Sequence, residues 1–146
     1  MIQKIKNLLF TECKKYRNIG LLLLRLGFGF IMLTQHGWAK LIGGPDKWHS
    51  LGDFGMSHIG ITFLLSFFGF MASASESIGA IFIAIGLFFR PTSALLMITM
   101  LVGVNMHLAT GKGNPEMAII YALLSASFIL IGPGKFSLDQ KYFSKY

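Results

Sequence analysis

Long apolar runs alternate along the chain with short polar connections. The apolar runs cover residues 19–41, 62–89, 92–109 and 116–131. Their lengths bracket the roughly 20 residues that a helix needs to cross the hydrocarbon core of a bilayer. Apolar residues follow one another continuously within each run, which favours helices over the alternating strands of a membrane barrel. The pattern predicts an all-α integral membrane protein, a four-helix bundle of transmembrane helices.

The connection between the first two runs is predicted to contain a structured segment. Residues 43–60 are rich in glycine and contain Pro45, which interrupts helical continuity. Trp48, Leu51 and Phe54 are spaced so that they can anchor a short helix where hydrocarbon meets water. We therefore expect a short interfacial segment between spans 1 and 2.

The two ends of the chain are polar and basic. Residues 1–18 carry apolar side chains at roughly helical spacing among the lysines, which predicts an amphipathic segment on the membrane surface. Residues 132–146 follow the last run as a tail. At 146 residues, the chain is expected to form a single membrane domain over residues 1–146.

Composition supports the membrane interpretation, and the placement of charge argues against nucleic-acid binding. Hydrophobic residues make up 53% of the chain and charged residues 13%, about half the charged fraction of a soluble domain. The net charge of +7 comes from residues beside the apolar runs. No nucleic-acid-binding motif accompanies it.

The distribution of Lys and Arg around the runs predicts the orientation. If both termini and the turn at Arg90 share one side, that side holds nine Lys or Arg residues. The other side holds three: Lys40, Lys47 and Lys112. Because the cytoplasmic side carries the excess, both termini are expected in the cytoplasm.

Arg25 and Glu76 are ionisable residues placed inside predicted spans. Such a residue costs about 2.5–3.5 kcal/mol on insertion scales, so it normally faces the bundle and finds a partner. In span 2 the stripe that contains Glu76 is small and polar and is expected to face inward; its members are Thr62, Gly69, Ser73, Glu76 and Ile83. We expect a direct or water-bridged pair between Arg25 and Glu76. The pair has two open interpretations: a proton relay or polar ligand anchor, or a structural ion pair.

Histidines lie near the outer ends of spans 1 and 3. Arg25, Gly29, Met32 and His36 share one helical face, and His107 lies at a depth similar to that of His36. The two histidines are therefore predicted to be able to meet. Two roles would suit the histidines: a hydrogen bond to a quinone carbonyl, or relay of a proton. Haem ligation is not expected, because both rings would have to coordinate the same iron atom. A structural role stays open, and no metal site is predicted.

The order of these residues resembles the DoxX family of small bacterial membrane proteins. The motifs that carry the resemblance are Arg25-Leu-Gly, His36-Gly-Trp-Ala-Lys40, Glu76 with Gly79, Gly86-Leu-Phe-Phe-Arg90, His107 and the Gly132-to-Asp139 segment. The resemblance implies a bacterial inner-membrane protein related to subunits of quinone-linked membrane oxidoreductases. It marks a set of candidate ligand-binding or proton-relay residues: Arg25, His36, Lys40, Glu76 and His107. A structural motif follows the last span: Gly132, Pro133, Gly134, Ser137 and Asp139.

Three functions fit these observations. The favoured one is a redox-associated subunit that binds a quinone or similar apolar carrier in its polar interior. The alternatives are a non-enzymatic scaffold or assembly partner for a soluble redox protein, and a small proton-linked transporter. The chain has neither a fused soluble domain nor a cysteine pair, so full enzymatic activity alone is not expected. The expected partners are the lipid bilayer, a soluble redox protein and further copies of the chain.

Overall fold

A computed structural model of the protein describes residues 14–143, and these residues form helices and no strands. The all-α prediction is therefore confirmed for this part of the chain. In chain order the elements are α1 (Lys14–Ile31), a π-helical turn (Met32–Gly37), α2 (Trp38–Leu41), α3 (Gly44–Met56), a 3-10 turn (Ser57–Ile59), α4 (Leu65–Ile85), α5 (Phe89–Thr110), α6 (Glu116–Ile131) and α7 (Leu138–Tyr142). Most of the predicted N-terminal amphipathic segment lies outside the described residues.

Three helical stretches are long and apolar enough to cross a membrane: Tyr16–Leu41, Leu65–Ile85 and Phe89–Thr110. The fourth, α6, is equally apolar but has only 16 residues, which corresponds to about 24 Å of helix. The predicted second span begins at Thr62, whereas α4 begins at Leu65, because Leu64 has a left-handed backbone (φ 52°) that no α-helix continues through.

The distribution of apolar and polar side chains is that of a membrane bundle. Large apolar residues point outward along the helices, and Leu130 is 81% exposed. The interior combines apolar packing with polar side chains; the buried polar residues are Arg25, Ser73, Ser75, Glu76, Ser77, Thr92, Ser93, Ser125 and Ser137. In lipid, burial of apolar surface does not drive helices to associate. Polar side chains of this kind help to hold the helices together instead.

Glycines let α1 and the π-helical turn lie directly on α4. A Cβ atom added at Gly29 would come within 2.5 Å of the Ala80 carbonyl oxygen, and one at Gly37 within 2.1 Å of the Glu76 carbonyl oxygen. Only glycine permits backbones to approach this closely. The first span therefore lies against Glu76 itself.

The segment between the first two spans is more regular than its composition suggests. Residues 44–56 form the 13-residue helix α3, and Pro45 is tolerated because it lies in the first turn. Gly52 meets the backbone of Leu65, and the backbone of Trp48 meets Gly69. Gly52 therefore serves close packing on α4 instead of breaking the helix, whereas Gly60, with a left-handed backbone (φ 81°), ends the 3-10 turn. His49 lies in α3 and His58 in the 3-10 turn.

Candidate functional site

The ion pair of the bundle joins Lys40 on α2 to Glu76 on α4. The Lys40 Nζ atom lies 2.5 Å from Oε2 of Glu76. The Glu76 side chain is 4% exposed, whereas the Lys40 side chain is 29% exposed. The carboxylate is thus enclosed by protein, whereas the side chain of its lysine partner is partly exposed at the surface of the bundle.

Local backbone geometry brings Lys40 to this position. The π-helical turn at Met32–Gly37 widens the helix just before α2, so residues after it are rotated relative to a continuous α-helix. Gly37 then places the chain against the backbone of Glu76. From the other side, Trp48 Nε1 donates a hydrogen bond of 3.1 Å to the Lys40 carbonyl oxygen. Lys40 is therefore held at both its backbone and its side chain.

Arg25 does not pair with Glu76, so this sequence-based expectation was wrong. The buried Arg25 guanidinium donates to the carbonyl oxygens of Pro133, Phe136 (2.7 Å) and Ala84 (3.4 Å). Ala84 lies eight residues beyond Glu76, or about 12 Å along the axis of α4. The two charges are at different depths, and the terminal nitrogens of Arg25 bind backbone carbonyls of α4 and of the segment after α6 instead, while its buried Nε has no hydrogen-bond partner among the described residues.

Residues Gly132–Asp139, which follow α6, contact Arg25. We call this segment the clasp. The Asp139 carboxylate accepts hydrogen bonds of 2.8 Å from the backbone N–H groups of Phe88 and Phe89. These N–H groups begin α5, so Asp139 caps that helix. Gly86 (φ 70°) leaves room for the clasp, because a Cβ atom there would lie 2.5 Å from that of Ser137. Arg25 and the clasp together close one end of the bundle.

The small polar stripe predicted for span 2 is largely as expected. Gly69, Ser73, Glu76 and Ile83 are buried, whereas Thr62 is exposed and precedes α4. Residues Arg25, Gly29 and Met32 of the first span are buried as well.

The two histidines have separate surroundings. The His36 ring packs edge-on against Tyr121 of α6, with centroids 5.5 Å apart. His107 Nδ1 lies 2.7 Å from the Lys112 carbonyl oxygen, beyond the end of α5. Within residues 16–143 no ring contact or hydrogen bond joins the two histidines. His36 thus packs against α6, four residues before Lys40 in the chain, whereas His107 binds the turn that follows α5.

An apolar cleft of about 280 Å³ opens between α3, α4 and α5. Its lining is almost wholly apolar and includes Leu51, Phe67, Met71, Leu95, Ile98 and Val102, with Thr99 as its one hydroxyl. The hydroxyl groups of Thr99 and Ser75 lie 2.8 Å apart. Ser75 thus contacts the cleft wall through Thr99, whereas the next residue of α4, Glu76, directs its carboxylate to Lys40 on α2.

Sequence reasoning identified Glu76 and Lys40 as separate candidates but not as partners. It also missed the link between Ser75 and Thr99 and the cleft beside it. No signal in the sequence reveals the π-helical turn that reorients Lys40. Among the described residues no three His, Cys, Asp or Glu side chains come together as a metal site would require.

Comparison with known proteins agrees with these features. The DoxX family profile matches residues 20–110, which is more than half of the chain. An uncharacterized protein of Haemophilus influenzae is 30% identical over 143 residues, covering 92% of this chain and 99% of the relative. No solved structure matches the chain. The matched range contains Arg25, His36, Lys40, Glu76 and His107 and ends before the clasp. The chain belongs to the DoxX family of membrane proteins.

Proposed function

We propose that this protein is a redox-associated membrane subunit that binds a quinone or a similar apolar carrier beside the Lys40–Glu76 ion pair. The observation that carries the proposal is the pair itself: an enclosed carboxylate whose only ionic partner among the described side chains, residues 16–143, is a lysine with 29% of its side chain exposed. Ionisable groups at bilayer depth are costly and usually serve ligands or protons. Arg25 and His107 are engaged by backbone carbonyls, which leaves His36, Lys40 and Glu76 for this role.

The chemistry of the three side chains suits a ligand with carbonyl and hydroxyl groups. The Lys40 ammonium, or His36 in a donor tautomer, would donate to a carbonyl oxygen of the oxidised carrier. The Glu76 carboxylate would accept a proton from a hydroxyl of the reduced carrier. Oxidation of a quinol to the quinone releases two electrons and two protons; we propose that the electrons pass to a soluble redox partner and that the two protons leave in turn through Glu76.

The apolar cleft offers room for the hydrocarbon part of such a carrier. The cleft lies among the spans, its lining is almost wholly apolar, and Thr99 in its wall bonds Ser75, the residue before Glu76 on α4. A molecule with an apolar tail and a polar ring would reach this region from the lipid without crossing water. We propose this lateral route in place of entry through the closed end of the bundle.

We further propose that the protein lies in the inner membrane with both termini in the cytoplasm. Arg90 and Lys135 lie at the clasp end, where Arg90 donates to Ile129 and the Lys135 amide to Asn18. Lys112 lies at the opposite end of α5. The excess of cations at the clasp end favours the cytoplasm for that side.

Lipid extraction tests the proposal. The wild-type protein, purified in a mild detergent, is expected to retain quinone detectable by mass spectrometry and to bind added quinol. The double variant Lys40→Met/Glu76→Gln should keep its fold and lose at least about tenfold in quinone affinity, which is about 1.4 kcal/mol of binding energy. Lys112→Gln, a change in the exposed turn after α5, is the matched control and should bind as the wild type does. Wild-type protein that neither retains quinone nor binds quinol would contradict the proposal.

A further inference from the structure

A groove at the clasp end of the bundle has the composition of a lipid headgroup site. It lies between the first turns of α1 and the start of the clasp and has a volume of about 470 Å³. Among the residues that the structure describes, its lining includes Arg17, Asn18, Leu21, Leu24, Ile131 and Gly134. Ligand sites in proteins span about 300–1,000 Å³, so the groove is large enough for a headgroup.

We propose that this groove binds an anionic phospholipid of the phosphatidylglycerol type, with its phosphate beside Arg17. The residue order along α1 supports this occupant. Arg17 and Asn18 form the polar end of the groove, whereas Leu21 and Leu24 follow within two turns toward the middle of the span. A phospholipid has the same order, with its phosphate at the interface and its acyl chains beneath.

The second wall of the groove continues this arrangement. Ile131, which ends α6, is 59% exposed and extends the apolar surface formed by Leu24, which is 42% exposed. Gly134 lies so close to Leu21 that an added Cβ atom would come within 2.7 Å of its Cδ2 atom. The clasp therefore forms a fixed wall instead of a loose loop.

Charge complementarity selects an anionic lipid over a zwitterionic one. The backbone N–H of Lys135 donates to Asn18 Oδ1 at 3.3 Å, which holds the exposed Lys135 next to the groove. A guanidinium is well matched to phosphate oxygens. With Arg17 and Lys135 beside one groove, an added negative charge on the lipid is favoured.

The test measures lipid binding to the full-length, delipidated protein by native mass spectrometry. The probes are phosphatidylglycerol, phosphatidylcholine and free glycerol phosphate, each at equal concentration. We expect one tightly held phosphatidylglycerol per chain. Phosphatidylcholine should bind at least about fivefold more weakly, the factor that corresponds to one interfacial cation at about 1 kcal/mol. Glycerol phosphate should also bind at least about fivefold more weakly, because it lacks the acyl chains that cover the apolar part of the groove.

Variants separate this groove from general surface charge. Arg17→Gln is expected to weaken phosphatidylglycerol binding about fivefold, and Arg17→Lys to restore most of it. Leu24→Trp should weaken binding by filling the groove while every charge stays in place. Lys112→Gln, at the other end of the bundle, should bind phosphatidylglycerol as the wild type does.

Three results would overturn the proposal. Equal affinity for phosphatidylglycerol and phosphatidylcholine would remove the role of charge. Binding of glycerol phosphate as tight as that of the lipid would make this a site for free phosphate. Unchanged phosphatidylglycerol binding in both Arg17→Gln and Leu24→Trp, or an equal loss in Lys112→Gln, would show that the lipid does not occupy this groove.

Discussion

Lys40 and Glu76 come from helices on opposite sides of the first interhelical connection, yet their charged atoms lie 2.5 Å apart. Their exposure is unequal: the carboxylate is enclosed, and the ammonium reaches the edge of the bundle. This inequality determines what each single substitution does. A lysine that loses its partner can extend toward the interface, whereas a carboxylate that loses its partner stays where it is.

Lys40→Met should therefore destabilise the protein more than Glu76→Gln. Breaking a buried pair by removing one partner costs about 3–5 kcal/mol, and Lys40→Met is expected near the lower end of this range. The double variant should lose less than the sum of the two single losses, with a coupling of about 0.5–3 kcal/mol. Denaturant unfolding in detergent, followed by circular dichroism, measures all three values. Strict additivity would show that the two charges do not interact.

Arg25 should not be replaceable by lysine. Its fork of donors reaches carbonyl oxygens on α4 and on the clasp at the same time, and one ammonium group cannot match that geometry. Arg25→Lys and Arg25→Gln should each lower the unfolding free energy by about 2 kcal/mol or more, since hydrogen bonds from charged groups contribute about 1.5–3 kcal/mol. The control is Arg90→Lys, because the exposed Arg90 bonds one carbonyl. An Arg25→Lys protein as stable as the wild type would contradict this role.

Two glycines of the first span should respond in opposite ways to alanine. Gly37→Ala places a Cβ atom 2.1 Å from the Glu76 carbonyl oxygen, and overpacking of this kind costs about 1–3 kcal/mol. Gly27→Ala meets no atom within 4 Å and should be neutral or stabilising, because alanine favours the helix by about 1 kcal/mol. Thermal unfolding in the same detergent compares the two. Similar effects of both changes would argue against close contact between the first span and α4.

Asp139 should protect the first amide groups of α5 from hydrogen exchange. Asp139→Ala removes both acceptors of the Phe88 and Phe89 N–H groups, whereas Asp139→Asn keeps one oxygen. We expect a loss of about 1 kcal/mol for alanine, as for other helix caps, and a smaller loss for asparagine. Exchange mass spectrometry of a peptide covering residues 86–92 measures this. Asp53→Ala, which removes only a hydrogen bond from Ser57, is the control, and unchanged exchange in Asp139→Ala would contradict the capping role.

The sequence predicted which residues are buried better than it predicted what they contact. Hydropathy indicated that Arg25 and Glu76 face the interior, and both are buried. Their partners depend on details that hydropathy does not encode. The π-helical turn rotates Lys40 toward Glu76, and the chain after α6 folds back to cover Arg25.

Glycine was the residue most easily misinterpreted. In the segment before span 2, glycines and Pro45 suggested interrupted structure, yet Gly52 is a contact point between α3 and α4. A glycine that breaks a helix and one that admits a neighbouring backbone look the same in a single sequence. Tertiary packing decides between them.

The 16 residues of α6 have a consequence for the surrounding lipid. Their rise of about 24 Å falls short of a hydrocarbon thickness of about 30 Å, whereas the neighbouring α5 has 22 residues. Acyl chains beside α6 must shorten or tilt to keep its ends solvated, at a cost of a fraction of a kcal/mol per ångström. We therefore expect the protein to be asymmetric toward its bilayer, with thinner lipid along the flank formed by α6. A neighbouring membrane protein with a similarly short helix would be favoured at that flank. Both helices would then lie in the same region of thinner lipid, which reduces the total deformation of the bilayer.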